Sequence, residues 1–117
     1  VYYLDINDYS FLFTGDISKN VERLIVNKYA IDKVNCLKVS HHGSVTGTSS
    51  YFVGKILPDY AVISTNGKYN HPHKETLDTL NSYLVDILIT KTIGNIKFNF
   101  IGNLKYISYK NQIIVLK

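Results

Sequence analysis

Two loops contain all four histidines of the chain, and each loop follows a short apolar segment. His41 and His42 follow LKVS, and His71 and His73 lie in the loop after YAVIS. A third apolar segment, FLFT, ends at Gly15-Asp16. Aspartate offers a hard oxygen ligand and neutral histidine a nitrogen ligand, and this mixture suits Zn²⁺ or Mn²⁺. These residue types therefore predict metal-assisted hydrolysis.

Asp16 is the candidate for a carboxylate that bridges two metal ions. Such a bridge, between cations about 3.5–4 Å apart, holds a hydroxide for in-line attack on a phosphorus or carbonyl centre. Ser44, Asn66 and His71 would then offer hydrogen bonds or a proton to a phosphate or a leaving oxygen.

Each of these residues also has a purely structural interpretation. Asp16 could cap a helix that begins near Ser18, and the hydroxyls that follow the His41-His42 pair could cap the next helix. Pro72 suits the first turn of a helix, so the histidine before it could simply precede a cap. Three independent caps would not require histidine, so the shared placement of these residues favours a site.

Strands and helices alternate along the chain and place these loops together. VYYLDI (1–6) and FLFT (11–14) predict a hairpin, and further strands are expected at 35–40, 60–64 and 86–90. The predicted helices run from Ser18 to about Ala30, from Ser49 or Ser50 to Leu57, and from His73 onward with a buried stripe of Leu77, Leu80 and Leu84. The order βαβαβαβ predicts a parallel sheet, and ligands bind outside the carboxyl ends of parallel strands. After Gly94, three more segments predict a short antiparallel β tail.

Length and composition indicate one globular domain, or part of one, without a membrane helix. The chain has 117 residues, of which 45% are hydrophobic and 19% charged, enough for a packed core. Its one cysteine, Cys36, excludes an intrachain disulfide framework and a cysteine metal cluster. No apolar run reaches the ~18 residues that a membrane helix needs, and no P-loop or G-x-G-x-x-G occurs. The formal charge of +4 favours a polyanionic partner such as nucleic acid.

The motifs of the chain resemble those of the metallo-β-lactamase-like domain at the C-terminal end of ComEC-type competence proteins, the DNA-uptake channels of bacteria. They are FLFTGD, a helix that carries Glu22, LKVSHHGS, a Ser/Thr run, PDYAVIS and the loop that ends in Tyr69-Asn70-His71-Pro72-His73 before a helix. The likeness extends over about residues 3–97. It implies an αββα sandwich with a metal site at one end of the sheets. For this family it also implies a proposed nuclease that degrades the DNA strand not taken into the cell.

The resemblance also implies roles for individual residues. Asp16 matches the bridging metal ligand, and the His41-His42 pair matches the late histidine ligand, with the choice between the two left open. Ser44 and His71 match residues that line the site, where they would contact a substrate phosphate. We therefore expect Asp16, His42, Ser44 and His71 to take part in catalysis, in a two-metal site for Zn²⁺ or Mn²⁺.

The chain also departs from the family pattern. The main metal-binding motif, H-x-[HD]-x-D-H, does not occur and would have to precede Val1, so we expect residues 1–117 to be the C-terminal half of the sandwich, with residues 1–97 as its family-like part. Lys91 stands where relatives tend to carry the acid of T-D-x-x-G, and residues 98–117 form a β-rich tail outside the pattern. Asp16 with one or two histidines falls short of the three protein ligands of a catalytic zinc site. We expect this segment alone to be inactive, and its open sheet face to favour poor folding or dimerisation.

The sequence thus predicts part of a metal-dependent hydrolase, a phosphodiesterase acting on DNA during competence DNA uptake. Its partners would be DNA, the missing N-terminal half of the domain and the membrane channel of the full-length protein. We expect a soluble, outward-facing segment of a bacterial membrane protein. Two alternatives stay open: a non-catalytic module that contacts DNA or docks on the channel, and a hydrolase of the same fold with another substrate.

Overall fold

A five-stranded sheet forms the centre of the molecule in the computed structural model, which describes residues 1–117. Its strands are β1 (Tyr2–Ile6), β2 (Tyr9–Phe13), β3 (Cys36–Lys38), β4 (Tyr60–Ile63) and β5 (Asp86–Ile89), side by side in that order. β1 and β2 pair antiparallel, and β2 to β5 pair parallel. The predicted hairpin and parallel sheet are therefore confirmed.

Three helices cover one face of this sheet, namely α1 (Lys19–Lys28), α2 (Ser50–Ile56) and α3 (Lys74–Ser82). Ser18 caps α1 and Ser49 caps α2, because each hydroxyl accepts a hydrogen bond from a backbone N–H in the first turn. Right-handed crossovers between strands added in one direction put all their helices on the same side. The apolar cluster between the two layers comprises Leu12, Val26, Val34, Leu37, Val39, Phe52, Val53, Ile56, Ala61, Ile63, Leu80 and Val85.

A second, antiparallel sheet packs on the opposite face. It consists of β6 (Lys97–Ile101), β7 (Leu104–Tyr109) and β8 (Gln112–Val115), and a single helical turn, α4 (Thr90–Ile93), leads into it from β5. The buried residues between the sheets are Tyr9, Phe11, Cys36, Tyr60, Leu88 and Ile107, packed against neighbours that include Phe98 and Phe100. The expectation of an open sheet face is therefore wrong, because the C-terminal tail covers it.

The predicted buried stripe of the third helix is wrong at one position. Leu84 is 87% exposed, because α3 ends at Ser82 and Leu84 adopts a φ of +58° just beyond the helix. On α1 the buried residues are Glu22 and Val26, while Leu24 is 67% exposed. None of the helices combines the length and the apolar character that crossing a membrane requires.

Candidate functional site at the edge of the sheet

The four imidazoles lie together beyond the carboxyl ends of β3 and β4. The ring of His71 is central, with its centroid 5.6 Å from that of His41, 6.2 Å from that of His42 and 4.8 Å from that of His73. After β3 the chain turns sharply at Ser40–Gly43, where His41 and His42 adopt φ values of +47° and +57°. Two loops that the sequence placed at one edge are thus in direct contact.

Gly43 and Pro72 make the closest part of that contact. A Cβ atom on Gly43 would lie 2.5 Å from Cβ of Pro72, and the φ of Gly43 is +85°. The Gly43 carbonyl also accepts a hydrogen bond from the His73 N–H at 3.0 Å. Only glycine combines this backbone conformation with so close an approach. The glycine in the HHGS motif therefore makes room for the neighbouring loop.

Hydrogen bonds fix the tautomers of two histidines. Nδ1 of His73 accepts from the Val45 N–H at 2.9 Å, and Nε2 donates to the Tyr69 carbonyl at 3.2 Å. Both ring nitrogens of His73 are therefore used to join the loops. Nδ1 of His42 lies 2.6 Å from the Ser64 carbonyl, which is an acceptor only, so Nδ1 carries the proton and Nε2 stays free.

The surroundings of His71 lower its pKa. Burial lowers its pKa, and the neighbouring rings of His73, His41 and His42 lower it further. A neutral imidazole keeps one ring nitrogen available as an acceptor or a metal ligand at neutral pH.

Asp16 lies on the adjacent loop, beyond the end of β2. The Gly15 carbonyl accepts a hydrogen bond from the His41 N–H at 2.8 Å, which ties the two loops together. Asp16 is exposed, and the hydroxyl of Ser18 caps α1 in its place. The carboxylate is therefore not needed as a helix cap. Burial lowers the pKa of Lys38, and the charge of Asp16 opposes that shift.

Ser44 has a different environment from the other predicted site residues. It is 5% exposed, and its hydroxyl accepts hydrogen bonds from the N–H and the hydroxyl of Thr46 at 3.3 and 3.1 Å. Its carbonyl accepts from the Thr76 hydroxyl at 3.3 Å. Ser44 thus braces its own loop against α3 and does not line the pocket that contains His42 and His71.

That pocket is polar and has a volume of about 410 Å³. Its lining residues are His42, Ser64, Thr65, Asn66, Lys68, Tyr69, His71 and Thr90, with no carboxylate among them. A larger pocket of about 580 Å³, between β1 and α1, is mainly apolar and contains none of these residues. We assign the candidate site to the polar pocket because it holds the groups that can exchange protons or bind anions.

The residues of this chain do not by themselves fit a complete two-metal centre. No three of its His, Cys, Asp and Glu side chains are arranged to hold a metal ion. His73 has no free ring nitrogen, since both make hydrogen bonds. Asp16 with His41 and His42 remains a smaller donor set than a pair of catalytic metals requires.

Glu22 is a residue of this region that the helical pattern did not predict. Its side chain is 1% exposed, and its two oxygens accept hydrogen bonds from the N–H groups of Thr48 at 2.5 Å and Ser49 at 2.9 Å. Glu22 thereby holds the far end of the loop that begins with the histidine pair. Burial raises its pKa, and the two backbone hydrogen bonds oppose that shift. Apolar periodicity does not reveal such a residue, because an acid counts as surface in that pattern.

Fold and site together define an α/β protein whose candidate site lies at the carboxyl edge of a parallel sheet. The chain has competence-related homologues. It is 32% identical over 102 residues to ComE operon protein 3 of Bacillus subtilis. It is 34% identical over 94 residues to Recombination protein 2 of Haemophilus influenzae, and 31% over 90 residues to Competence protein ComA of Neisseria gonorrhoeae.

These matches cover most of this chain and a small part of each relative. They extend over 86%, 78% and 74% of the chain, and over 13%, 12% and 13% of the respective relatives. The chain therefore spans about an eighth of the length of these proteins. No family model and no solved structure matches it.

Proposed function

We propose that this chain is the C-terminal half of a metallo-β-lactamase-like domain in a ComEC-type competence protein. The complete domain would be a metal-dependent phosphodiesterase acting on DNA during its uptake. The observation that carries this proposal is the gathering of Asp16 and the His41, His42 and His71 rings at one sheet edge, in a chain whose homologues are competence-related.

Asp16 and one residue of the His41-His42 pair would hold metal together with residues outside this segment. Zn²⁺ or Mn²⁺ suits these donors and would supply an activated water at neutral pH. The hydrogen bond from Nδ1 to the Ser64 carbonyl orients His42 and leaves its Nε2 for a ligand or a proton. His71, whose pKa is lowered by burial and by the neighbouring imidazoles, would exchange a proton with a phosphate or leaving oxygen.

We further propose that the domain lies outside the cytoplasm beside the membrane channel of the full-length protein. DNA would then meet the site as it approaches the channel. A net charge of +4 suits that encounter, because a cationic surface attracts the phosphate backbone.

The test compares variants of the full-length protein purified in its native form. We expect Asp16→Ala to lower the metal content and to reduce hydrolysis of single-stranded DNA by at least about a hundredfold. Asp32→Ala removes another exposed carboxylate, which lies before the start of β3 and so at the opposite edge of the sheet from the imidazoles, and serves as the control. Unchanged hydrolysis in Asp16→Ala, with the fold intact by circular dichroism, would refute the proposed role.

A second candidate is a non-catalytic module that contacts DNA, and the net charge of +4 favours it. Elemental analysis of the full-length protein separates the two functions. About two metals per chain support the hydrolase, as catalytic two-metal sites require. No metal, together with DNA binding that weakens steeply with salt, supports the binding module.

A further inference from the structure

We infer that the polar pocket binds one nucleotide of a single-stranded nucleic acid. Lys68 and Lys91 would hold the phosphate, and the base would stack on Tyr69. Because the pocket contains His42 and His71, this role builds on the proposed function and names the part of the strand that the site holds.

Two lysines without acidic partners lie at this pocket. Lys68 is one of its lining residues, and Lys91 of α4 lies just outside that lining, with its side chain packed over Gly67, the residue before Lys68. A Cβ on Gly67 would lie 2.6 Å from Nζ of Lys91, so glycine, with a φ of +87°, leaves the space that this amine occupies. The ion pairs of the chain use other lysines, namely Lys33, Lys74 and Lys117. An anion would therefore meet two free ammonium groups without displacing a carboxylate.

The loop that carries Lys68 is braced against the helical turn that carries Lys91. The hydroxyl of Thr90 accepts from the Thr65 N–H at 3.0 Å and donates to the Thr65 carbonyl at 3.2 Å. The side-chain oxygen of Asn66 accepts from the Lys68 N–H at 3.0 Å, which leaves the Asn66 amide nitrogen free to donate. The two amines thus extend from fixed backbone positions, so less conformational entropy is lost when they bind a phosphate.

Tyr69 supplies the part of the pocket that suits a base. It is the one hydrophobic residue of the lining and is 83% exposed. Its turn is nonetheless held in place, because its carbonyl accepts the hydrogen bond from Nε2 of His73. An exposed aromatic ring beside a cationic site is the combination that binds single strands, whose bases are free to stack.

The volume of the pocket agrees with a ligand of this size. About 410 Å³ lies within the range of roughly 300–1,000 Å³ that small-ligand sites occupy. Inorganic phosphate would use the same two lysines and leave Tyr69 without a role. Tyr69 therefore separates a nucleotide of a strand from free phosphate as the ligand.

The experiment is an NMR titration of the chain with hexathymidylate in EDTA. We expect amide shifts at Gly67, Lys68 and Thr90. Lys91→Gln should weaken binding several-fold and lower the slope of log K against log salt by about 0.7, the value for one phosphate contact on a single strand. Lys91→Arg should restore binding, since it keeps the charge.

Control variants make the outcome specific. Lys28→Gln removes the same charge from the end of α1 and should leave binding unchanged. Tyr69→Ala should weaken hexathymidylate about tenfold, as expected for one stacked base, and should not alter the binding of inorganic phosphate.

Two results would overturn the inference. One is equal binding by Lys91→Gln and Lys28→Gln, or shifts that map away from the pocket. The other is inorganic phosphate binding as tightly as the strand with no effect of Tyr69→Ala, which would make free phosphate the ligand. EDTA removes metal-dependent hydrolysis from the measurement, so failure of the proposed function would leave these results unaffected.

Discussion

Replacing Glu22 with alanine should release the loop that follows the histidine pair. In the native chain the Glu22 carboxylate is buried and accepts the N–H groups of Thr48 and Ser49. Alanine leaves both donors without a partner in a place that water does not reach freely. Each unsatisfied buried donor costs about 1–3 kcal/mol, so the free energy of unfolding should fall by about 2–6 kcal/mol. That is a large share of the roughly 5–15 kcal/mol that stabilises a domain.

Urea denaturation and hydrogen exchange together check this prediction. The urea midpoint of Glu22→Ala should fall, and the amides of Thr48 and Ser49 should lose protection before the strands do. Asp32→Ala, at an exposed carboxylate, should change stability by no more than about 0.5 kcal/mol. Equal midpoints for the two variants, with unchanged exchange at both amides, would refute the conclusion that Glu22 holds this loop.

The same residue gives the stability a pH dependence of known sign. Burial raises the pKa of Glu22 in the folded chain above its unfolded value, so the folded state binds the proton more tightly. The stability that this adds is fully present below the unfolded pKa and is lost as the pH rises through the folded pKa. Glu22→Gln should abolish that part of the decline in urea titrations at a series of pH values. An identical decline in wild type and variant would contradict it.

Three further predictions concern the neighbouring loops and the core. Gly43→Ala should lower the free energy of unfolding by about 1–3 kcal/mol in urea denaturation, because alanine is strained at a φ of +85° and its Cβ would collide with Pro72. An unchanged midpoint would contradict this. His73→Ala should cost about 2–4 kcal/mol and His71→Ala less than about 1, because only His73 uses both ring nitrogens, and equal losses would argue against that difference. Burial raises the pKa of the Cys36 thiol to about 12, so a thiol reagent at pH 8 should react about a thousandfold more slowly with folded than with urea-unfolded chain; equal rates would show that the thiol is accessible.

The sheet and the shared edge could be predicted because their signals are local. Each parallel strand is a short apolar run with a helix before the next, and parallel strands must end at one edge. That was enough to put Asp16 beside the loops of His42 and His71. Helix starts were also predictable, since Ser18 and Ser49 cap α1 and α2 through their own hydroxyls.

The remaining features depend on contacts between residues far apart in sequence. Nothing near Lys91 indicates that its amine passes over Gly67, and nothing near Glu22 indicates that its partners are the N–H groups of Thr48 and Ser49. The sequence of the β tail predicted its strands, but it did not predict which face of the central sheet they cover. The sequence also could not show that His73 uses both ring nitrogens, because its partners lie on two different loops.

The strand order of the central sheet has a consequence for how the chain emerges from the ribosome. Phe11 pairs with Cys36, Cys36 with Tyr60, and Tyr60 with Asp86, so each new parallel strand arrives 24 to 26 residues after its partner. At about 5–20 residues per second, one strand is added every few seconds, and no strand has to insert between earlier ones. The second sheet is translated after the first, so the aromatic face that it covers is exposed until β6 to β8 have been synthesised. Ribosome-bound chains that stop before β6 should therefore bind chaperones through that face, and release should follow once β7 is complete.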